Sequence, residues 1–392
     1  MKTPKIMYVC NHPVPLPTEI THGGQLRLYS LATAISQEPN HFIISAFVRT
    51  RIVVMKFPVL RFMILALNVL LRGSEVIILS YPNFPFFPKE FSQRFGPLST
   101  SFLLLLRICK HFRRAKIIID ADDLISAEII TYTRPSERRG RINGGHVLAF
   151  EKNLFSLADV IWVVSANEAE SIRSTHRPNV KFLVVPNGNL RSDHVPEFVT
   201  KDKVRFVYAG TLSRDKQEIV HLLKVFNSLD APDIELYLIG PGGAWIPHDL
   251  LGPKVRYLGA LTHREAERYV KACDVGLILY TSKERFFEIT FPVKLALYIT
   301  NELPVVCLDS SAIAKFVREN EIGLTTTPDF LSEEIVRIAH SDTLRKKFAT
   351  NCRRISDEYC FDTIFEKAIR TSLKKNVQEK EANSHSLPGQ IS

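Results

Sequence analysis

Short, almost wholly apolar runs alternate along the chain with longer stretches in which apolar side chains recur every three or four positions. The short runs have the length and β-branched content of strands buried on both faces, and the longer ones have the spacing of amphipathic helices packed over a parallel sheet. In the first half, strands are expected at residues 5–10, 42–48, 75–80, 116–120, 160–164 and 182–185, with helices at 24–36, 52–71, 98–109, 151–157 and 166–174. The second half repeats the scheme, with strands at 204–209, 234–239, 255–258, 275–279 and 305–308 and helices at 219–228, 264–273 and 292–301. Successive units of this kind give an α/β chain with two doubly wound, Rossmann-like parallel sheets.

Between the halves, residues 187–203 are polar, carry no apolar period and read as a linker. The expected domains are residues 1–190 and 191–360, followed by a helix at 361–373 returning to the first domain and a polar tail at 374–392 expected to be disordered.

One stretch, residues 291–306 (FPVKLALYITNELPVV), combines a helix start, a stop and a buried strand. Pro292 suits the first helical position, and Asn301 with Leu303-Pro304 closes the helix. Lys294 therefore sits in the first turn, where the macrodipole disfavours a cation by about 0.3–1 kcal/mol. A bound anion would reverse that penalty, because free N–H groups, dipole and ammonium would converge on it. A solvated surface lysine is the alternative.

Composition narrows the partners. With 392 residues, 45% hydrophobic and 23% charged, the chain is globular and long enough for two cores, and its net charge of +10 favours an anionic partner: nucleotide, nucleic acid or membrane surface. The six cysteines are scattered without zinc or redox spacing, as expected for reduced thiols in the cytoplasm. Residues 52–71 and 98–109 are too interrupted or too short to span a membrane. Arg107, Lys110, His111, Arg113, Arg114 and Lys116, followed by Arg134, Arg138, Arg139 and Arg141, nevertheless make a basic surface suited to peripheral contact with anionic lipid.

In open α/β sheets ligands bind beyond the carboxyl ends of the strands. After strand 204–209 come Gly210, Thr211, Ser213, Arg214 and Lys216, which offer close backbone approach and donors for phosphate oxygens. Gly240-Pro241-Gly242-Gly243 and Gly259-Ala260-Leu261 follow the next two strands. In the first half, His12, Asp120 and Asp122 lie at strand ends facing the same expected cleft, with helix capping as the alternative for Asp122 and Asp123. No GxGxxG opens a helix after the first strand, and neither a Walker A sequence, a GxSxG elbow nor an HExxH motif occurs, which argues against dehydrogenases, P-loop NTPases, α/β-hydrolases and zincins.

Taken together, Gly23-Gly24, VVPNG at 184–188, YAGTLSRDK at 208–216, LYLIGPG at 236–242, VRYLGAL at 255–261 and PVKLALY…PVV at 292–306 resemble the glycosyltransferase family 4 superfamily, which has the GT-B fold. The resemblance runs over nearly the whole chain. The last motif is most similar to a bacterial branch with PxKLxLY in place of a glutamate-containing sequence, whose members transfer glucose or galactofuranose from UDP-sugars. It implies a metal-independent hexosyltransferase of surface-polysaccharide assembly that needs no cofactor beyond its nucleotide-sugar donor. The implied acceptor is a saccharide or lipid-linked saccharide at the inner face of the membrane, and no nucleic acid is involved. Donor binding would fall to Gly210, Thr211, Arg214, Lys216, Gly240, Gly259, Leu261, Pro292, Lys294 and Tyr298, with Gly23 and Gly24 in an acceptor-side loop. Leu297 stands where the family's ribose-binding glutamate is common, with Tyr298 or a backbone group as its substitute and Glu288 as the first glutamate of that motif. His12, Asp120, Asp122 and Glu288 are the catalytic candidates, a base being needed only if the anomeric centre inverts. Two other readings stay open: a non-catalytic partner that binds a glycan or another transferase, and a UDP-sugar 2-epimerase.

Overall fold

The computed structural model describes residues 3–10, 14–45, 58–82, 97–122, 124, 144–192, 195–198, 202–212, 217–280, 288–309 and 312–374. The first domain runs β1 (Ile6–Cys10), α1 (Gly23–Ser36), β2 (His41–Ser45), α2 (Pro58–Arg72), β3 (Val76–Tyr81), α3 (Pro97–Arg113), β4 (Lys116–Ala121), α4 (Gly144–Leu157), β5 (Val160–Val163), α5 (Ala166–His176) and β6 (Lys181–Val184). The second runs β7 (Val204–Ala209), α6 (Gln217–Ser228), β8 (Ile234–Ile239), β9 (Val255–Tyr257), α7 (His263–Ala272), β10 (Val275–Ile278), α8 (Val293–Thr300), β11 (Val305–Leu308), α9 (Ala312–Glu319), β12 (Gly323–Thr326), α10 (Leu331–Ala339) and α11 (Asp342–Ile355). A final helix, α12 (Phe361–Leu373), follows a short 3-10 turn.

Each half is a six-stranded sheet, ordered β2-β1-β3-β4-β5-β6 and β12-β11-β10-β7-β8-β9, and every named pairing is parallel. In the second sheet the chain winds from β7 through β8 to β9, then returns to β10 on the other side of β7. Strand order reverses there, so the β7 and β10 loops diverge and leave a crevice where ligands settle in such sheets.

Apolar runs such as IMYVC and IELYLI are buried along their whole length because helices cover both faces. Over the first sheet, α2, α3 and α4 form one core, while α1 and α12 form the other with Trp162 beneath them. The last helix is thus part of the first domain's interior: Phe361 and Phe365 stack at 5.2 Å, and Trp162 Nε1 donates to Ser372 Oγ at 2.9 Å.

Several boundaries differ from the sequence expectation. The second strand is described from His41 to Ser45, and the rest of that expected run falls outside the described residues. Helix α4 is described from Gly144, because the segment GGHVLAF ahead of Glu151 continues its turns and buries Val147 and Phe150 in the core. Between residues 309 and 330 the chain forms α9 and β12, which the pattern did not announce; β12 is the edge strand GLTT, with little apolar content. The expected linker is ordered at its start, where Asn189 N–H donates to Tyr359 O and Phe361 N–H donates to Asn189 O, both at 2.9 Å. The two chain crossings between domains therefore run side by side, joined by a β-bridge from Asn189 to Cys360. All six cysteines are buried thiols, and burial pushes Cys307 and Cys352 up to about 12, which keeps them protonated and inert.

Candidate functional site

The carboxyl ends of the two sheets face each other across a cleft of about 420 Å³. The first domain contributes Thr21, His22, Gly23, Gly24, Asp122 and Asn187. Opposite lie Gly210 and Thr211 after β7, Gly240 and Pro241 after β8, Leu261, His263 and Ala266 around the start of α7, and Tyr280, Pro292, Lys294 and Leu297.

Lys294 is the one ammonium among the described residues lining this cleft, and only 9% of its surface is exposed. Pro292 occupies the N-cap position of α8 with no side-chain cap, so the helix's first N–H groups and Lys294 share one end of the cleft wall. The ammonium lies 4.0 Å from the Tyr208 ring centroid and 4.9 Å from that of Tyr280. These electron-rich faces stabilise a cation that burial and the dipole both oppose.

Gly210 has φ +153°, and a Cβ there would lie 2.7 Å from the Lys294 Nζ. Gly240 has φ +143°, and its Cβ would fall 2.0 Å from the Gly210 carbonyl oxygen. Both loops therefore depend on glycine, and their bare backbone forms the wall beside the ammonium. Gly259 stands one layer behind, its carbonyl accepting from Gly240 N–H at 2.8 Å, and Leu261 reaches the cleft.

The first domain brings a second helix end to the cleft. His22 caps α1, its Nδ1 accepting from Gln25 N–H at 3.4 Å, and burial lowers its pKa. A Cβ on Gly23 would lie 2.6 Å from Val293 Cγ2, so the starts of α1 and α8 touch across the domain boundary. Asn187 bridges the domains too, donating to Phe291 O at 2.9 Å.

Three sequence expectations need correction. Asp120 does not reach the cleft: it is buried, with Arg27 NH2 on Oδ1 at 2.5 Å and Nε on Oδ2 at 3.2 Å. Burial works against the Arg27 cation, but Asp120 outweighs it and raises the Arg27 pKa. This pair joins α1 to β4, while Arg27 also donates to the carbonyls of Val185 and Pro186. Tyr298 is likewise withdrawn as a ribose contact, because its hydroxyl is fully buried, accepts from Ala209 N–H at 3.0 Å and donates to Val207 O at 3.2 Å. Its phenol, raised by burial, braces β7 against α8. Glu288 is exposed beside α5, where its carbonyl accepts from Asn167 Nδ2, and it does not line the cleft.

Among the described residues Asp122 is the acidic side chain that lines the cleft, and it stays a catalytic candidate there. His12, Arg214 and Lys216 lie outside the described residues. Gly23, Gly24, Gly210, Thr211, Gly240, Leu261, Pro292 and Lys294 are brought together as cleft lining. Among the described residues no group of three or more His, Cys, Asp or Glu side chains could hold a metal ion.

Sequence reasoning overlooked a buried polar network behind the cleft. The Asn189 amide donates to Glu267 Oε1 at 2.9 Å and Thr300 Oγ1 at 2.8 Å, while its oxygen lies 2.8 Å from His263 Nε2. With both partners accepting from the amide nitrogen, its oxygen must accept, which sets His263 as the Nε2–H tautomer. His263 N–H also donates to Ile20 O of the first domain at 2.7 Å. The signal was the polar pair His263 and Glu267 one turn apart on a helix start, which spacing alone could not tie to a linker asparagine.

Comparison with known proteins matches residues 206–357 to the family model of the Glucosyltransferase 3-like, C-terminal domain. No curated protein sequence matches the chain. Among solved structures it is similar to sucrose-phosphate synthase from Thermosynechococcus elongatus, at 15% identity and TM-score 0.65, covering 98% of this chain and 100% of that one. It is similar to WaaG, a glycosyltransferase involved in lipopolysaccharide biosynthesis, at 12% identity and TM-score 0.62, covering 94% and 100%. Anabaena Alr3699/HepE, solved in complex with UDP, aligns at 15% identity and TM-score 0.61 over 94% and 99%. Over nearly its whole length the chain therefore has the two-domain GT-B glycosyltransferase fold, and residues 206–357 match a glucosyltransferase-type C-terminal domain.

Proposed function

We propose that this protein is a glycosyltransferase that moves a hexosyl group from a UDP-sugar to a saccharide or lipid-linked saccharide acceptor. The observation that carries this reading is Lys294: a buried ammonium held by two tyrosine rings, at an uncapped helix start, against glycine backbone. A diphosphate fits there because its charge would be met by the ammonium and the helix N–H groups together. The UDP complex of the similarly folded Anabaena protein supports uridine diphosphate as the leaving group.

In the proposed reaction the bond from the anomeric carbon to the diphosphate oxygen breaks, and its electron pair leaves with UDP. Lys294 stabilises that growing charge without a metal ion, the electrostatic contribution that dominates transfers of this kind. The acceptor hydroxyl forms the new bond and loses its proton to Asp122 if the centre inverts, or to the departing diphosphate if it is retained. The acceptor would enter from the first-domain wall, past Thr21, His22 and Gly23. Surface-polysaccharide assembly in the cytoplasm, on a carrier at the membrane face, is the setting this chemistry suits.

Leu297 favours a second reading. It places an aliphatic side chain in the cleft where a ribose-binding carboxylate is common in the resembled family, as a non-catalytic glycan-binding partner could tolerate. Calorimetric titration with UDP and UDP-sugars, paired with UDP release in the presence and absence of saccharide acceptors, separates the two. Saturable UDP binding with acceptor-dependent release is expected. Failure to bind any nucleotide would favour the partner role, and epimer formation without acceptor would replace transfer by epimerisation.

A further inference from the structure

The solvent face of the first domain carries a second surface, on the outer helices α2 and α3. Neither helix contains a single Asp or Glu. On α2, Met63, Leu67 and Leu71 are four residues apart and so share one stripe about 12 Å long. They are 60%, 56% and 74% exposed, although the same helix buries Leu65 and Val69 in the core beneath. On α3, Leu104 is 55% and Phe112 84% exposed. The two helices pack side by side, and a Cβ on Gly73, just after α2, would lie 3.6 Å from the Arg113 guanidinium at the end of α3.

Cations surround these apolar side chains. Arg72, Arg107, Arg113 and Arg114 are all exposed on or just after these two helices. The nearby carboxylate of Asp159 is occupied by Lys110 at 3.1 Å. Exposed apolar anchors rimmed by positive charge, on helices free of acidic residues, are complementary to an anionic lipid surface: the anchors enter the acyl boundary and the guanidinium groups meet the phosphates. A water-facing surface would be expected to carry both charge signs and few large apolar groups. None of the described helices is long and apolar enough to cross a membrane, so the contact is peripheral.

We propose that the α2–α3 face is a monotopic docking surface for an anionic bilayer. It requires no step of the sugar-transfer reading, since a chain that binds no nucleotide could still dock, and a transferase could fail to. The test is flotation of the full chain with phosphatidylcholine vesicles, with and without phosphatidylglycerol, at low and high salt. Flotation with anionic vesicles is expected, falling by about tenfold in high salt and on neutral vesicles. The double variant Leu67→Asp/Phe112→Asp alters exposed positions far from the cleft lining. It should lose flotation while keeping the parent's melting temperature and UDP affinity. Equal binding to neutral vesicles, no flotation with anionic vesicles at low salt, or undiminished flotation of the folded double variant would each overturn the proposal. So would self-association abolished by the double variant with no flotation, which would assign the face to a second copy of the chain.

Discussion

Lys294 illustrates how one side chain can be placed against its local preference. A charge-assisted contact to an anion is worth about 1.5–3 kcal/mol. Lys294→Ala should therefore weaken UDP binding by roughly ten- to a hundredfold in calorimetry, with little change in melting temperature. The two aspartates near the cleft should separate cleanly. Asp122→Asn is expected to lower kcat by about a hundredfold or more while leaving the donor KM near its parent value, if that carboxylate takes the acceptor proton. Asp120→Ala should instead strand the buried Arg27 cation and cost about 3–5 kcal/mol of stability, visible in chemical denaturation. His22 adds a pH dependence. Its folded pKa lies below the ordinary 6.5, so folding favours the neutral ring, and this contribution is complete above 6.5 and shrinks as pH falls through 6.5 toward the folded value. Protonated Nδ1 could no longer accept from Gln25 N–H at the start of α1. Thermal melts of His22→Asn, which keeps a cap but cannot titrate, should lose part of the parent's decline below pH 6.5.

At the scale of elements, buried strands announced themselves most clearly: β7, β8 and β11 occupy the residues their apolar runs indicated, because strands covered on both faces tolerate almost nothing else. The glycine loops and the Pro-x-Lys helix start were equally legible, since their backbone demands are local. Asp120 was misread because its partner Arg27 is 93 residues away, and Tyr298 because nothing local marks which face of a helix a tyrosine presents. Edge strand β12 was missed for lack of an apolar face. The loops also differ in how much change they should survive. Gly240→Ala would force a methyl group onto a backbone oxygen and should destabilise the second domain strongly, whereas Gly210→Ala meets a side-chain ammonium and the strain of its positive φ, so it should destabilise the domain less and also weaken UDP binding by displacing Lys294. Asn189→Ala leaves Glu267 Oε1 with the longer 3.3 Å bond from Asn301 Nδ2 and removes the donor to Thr300 Oγ1. It should lower stability by about 1–3 kcal/mol and raise the donor KM, as α7 and α8 lose their common anchor at the interdomain crossing.

The whole molecule is two similar sheets whose ligand-facing edges meet, and that much could be read from βα alternation alone. The arrangement across the cleft could not, because it depends on contacts between distant segments: Gly23 on Val293, His263 on Ile20, Asn187 on Phe291. Helix α12 is the extreme case, separated from its partner α1 by nearly the full chain yet filling the same core. The ribosome therefore releases the first sheet long before the helix that seals one of its faces. Until residues 361–373 emerge, Leu31, Ile35 and Trp162 remain a sticky apolar flank on the nascent polypeptide, a substrate for chaperones. A stop codon at position 361 should accordingly yield aggregated first domain rather than a trimmed enzyme, and co-expression of the missing helix as a peptide should recover soluble protein. Genetic exchange between such transferases faces the same constraint: a hybrid cut once, between the sheets, inherits a final helix matched to the wrong half.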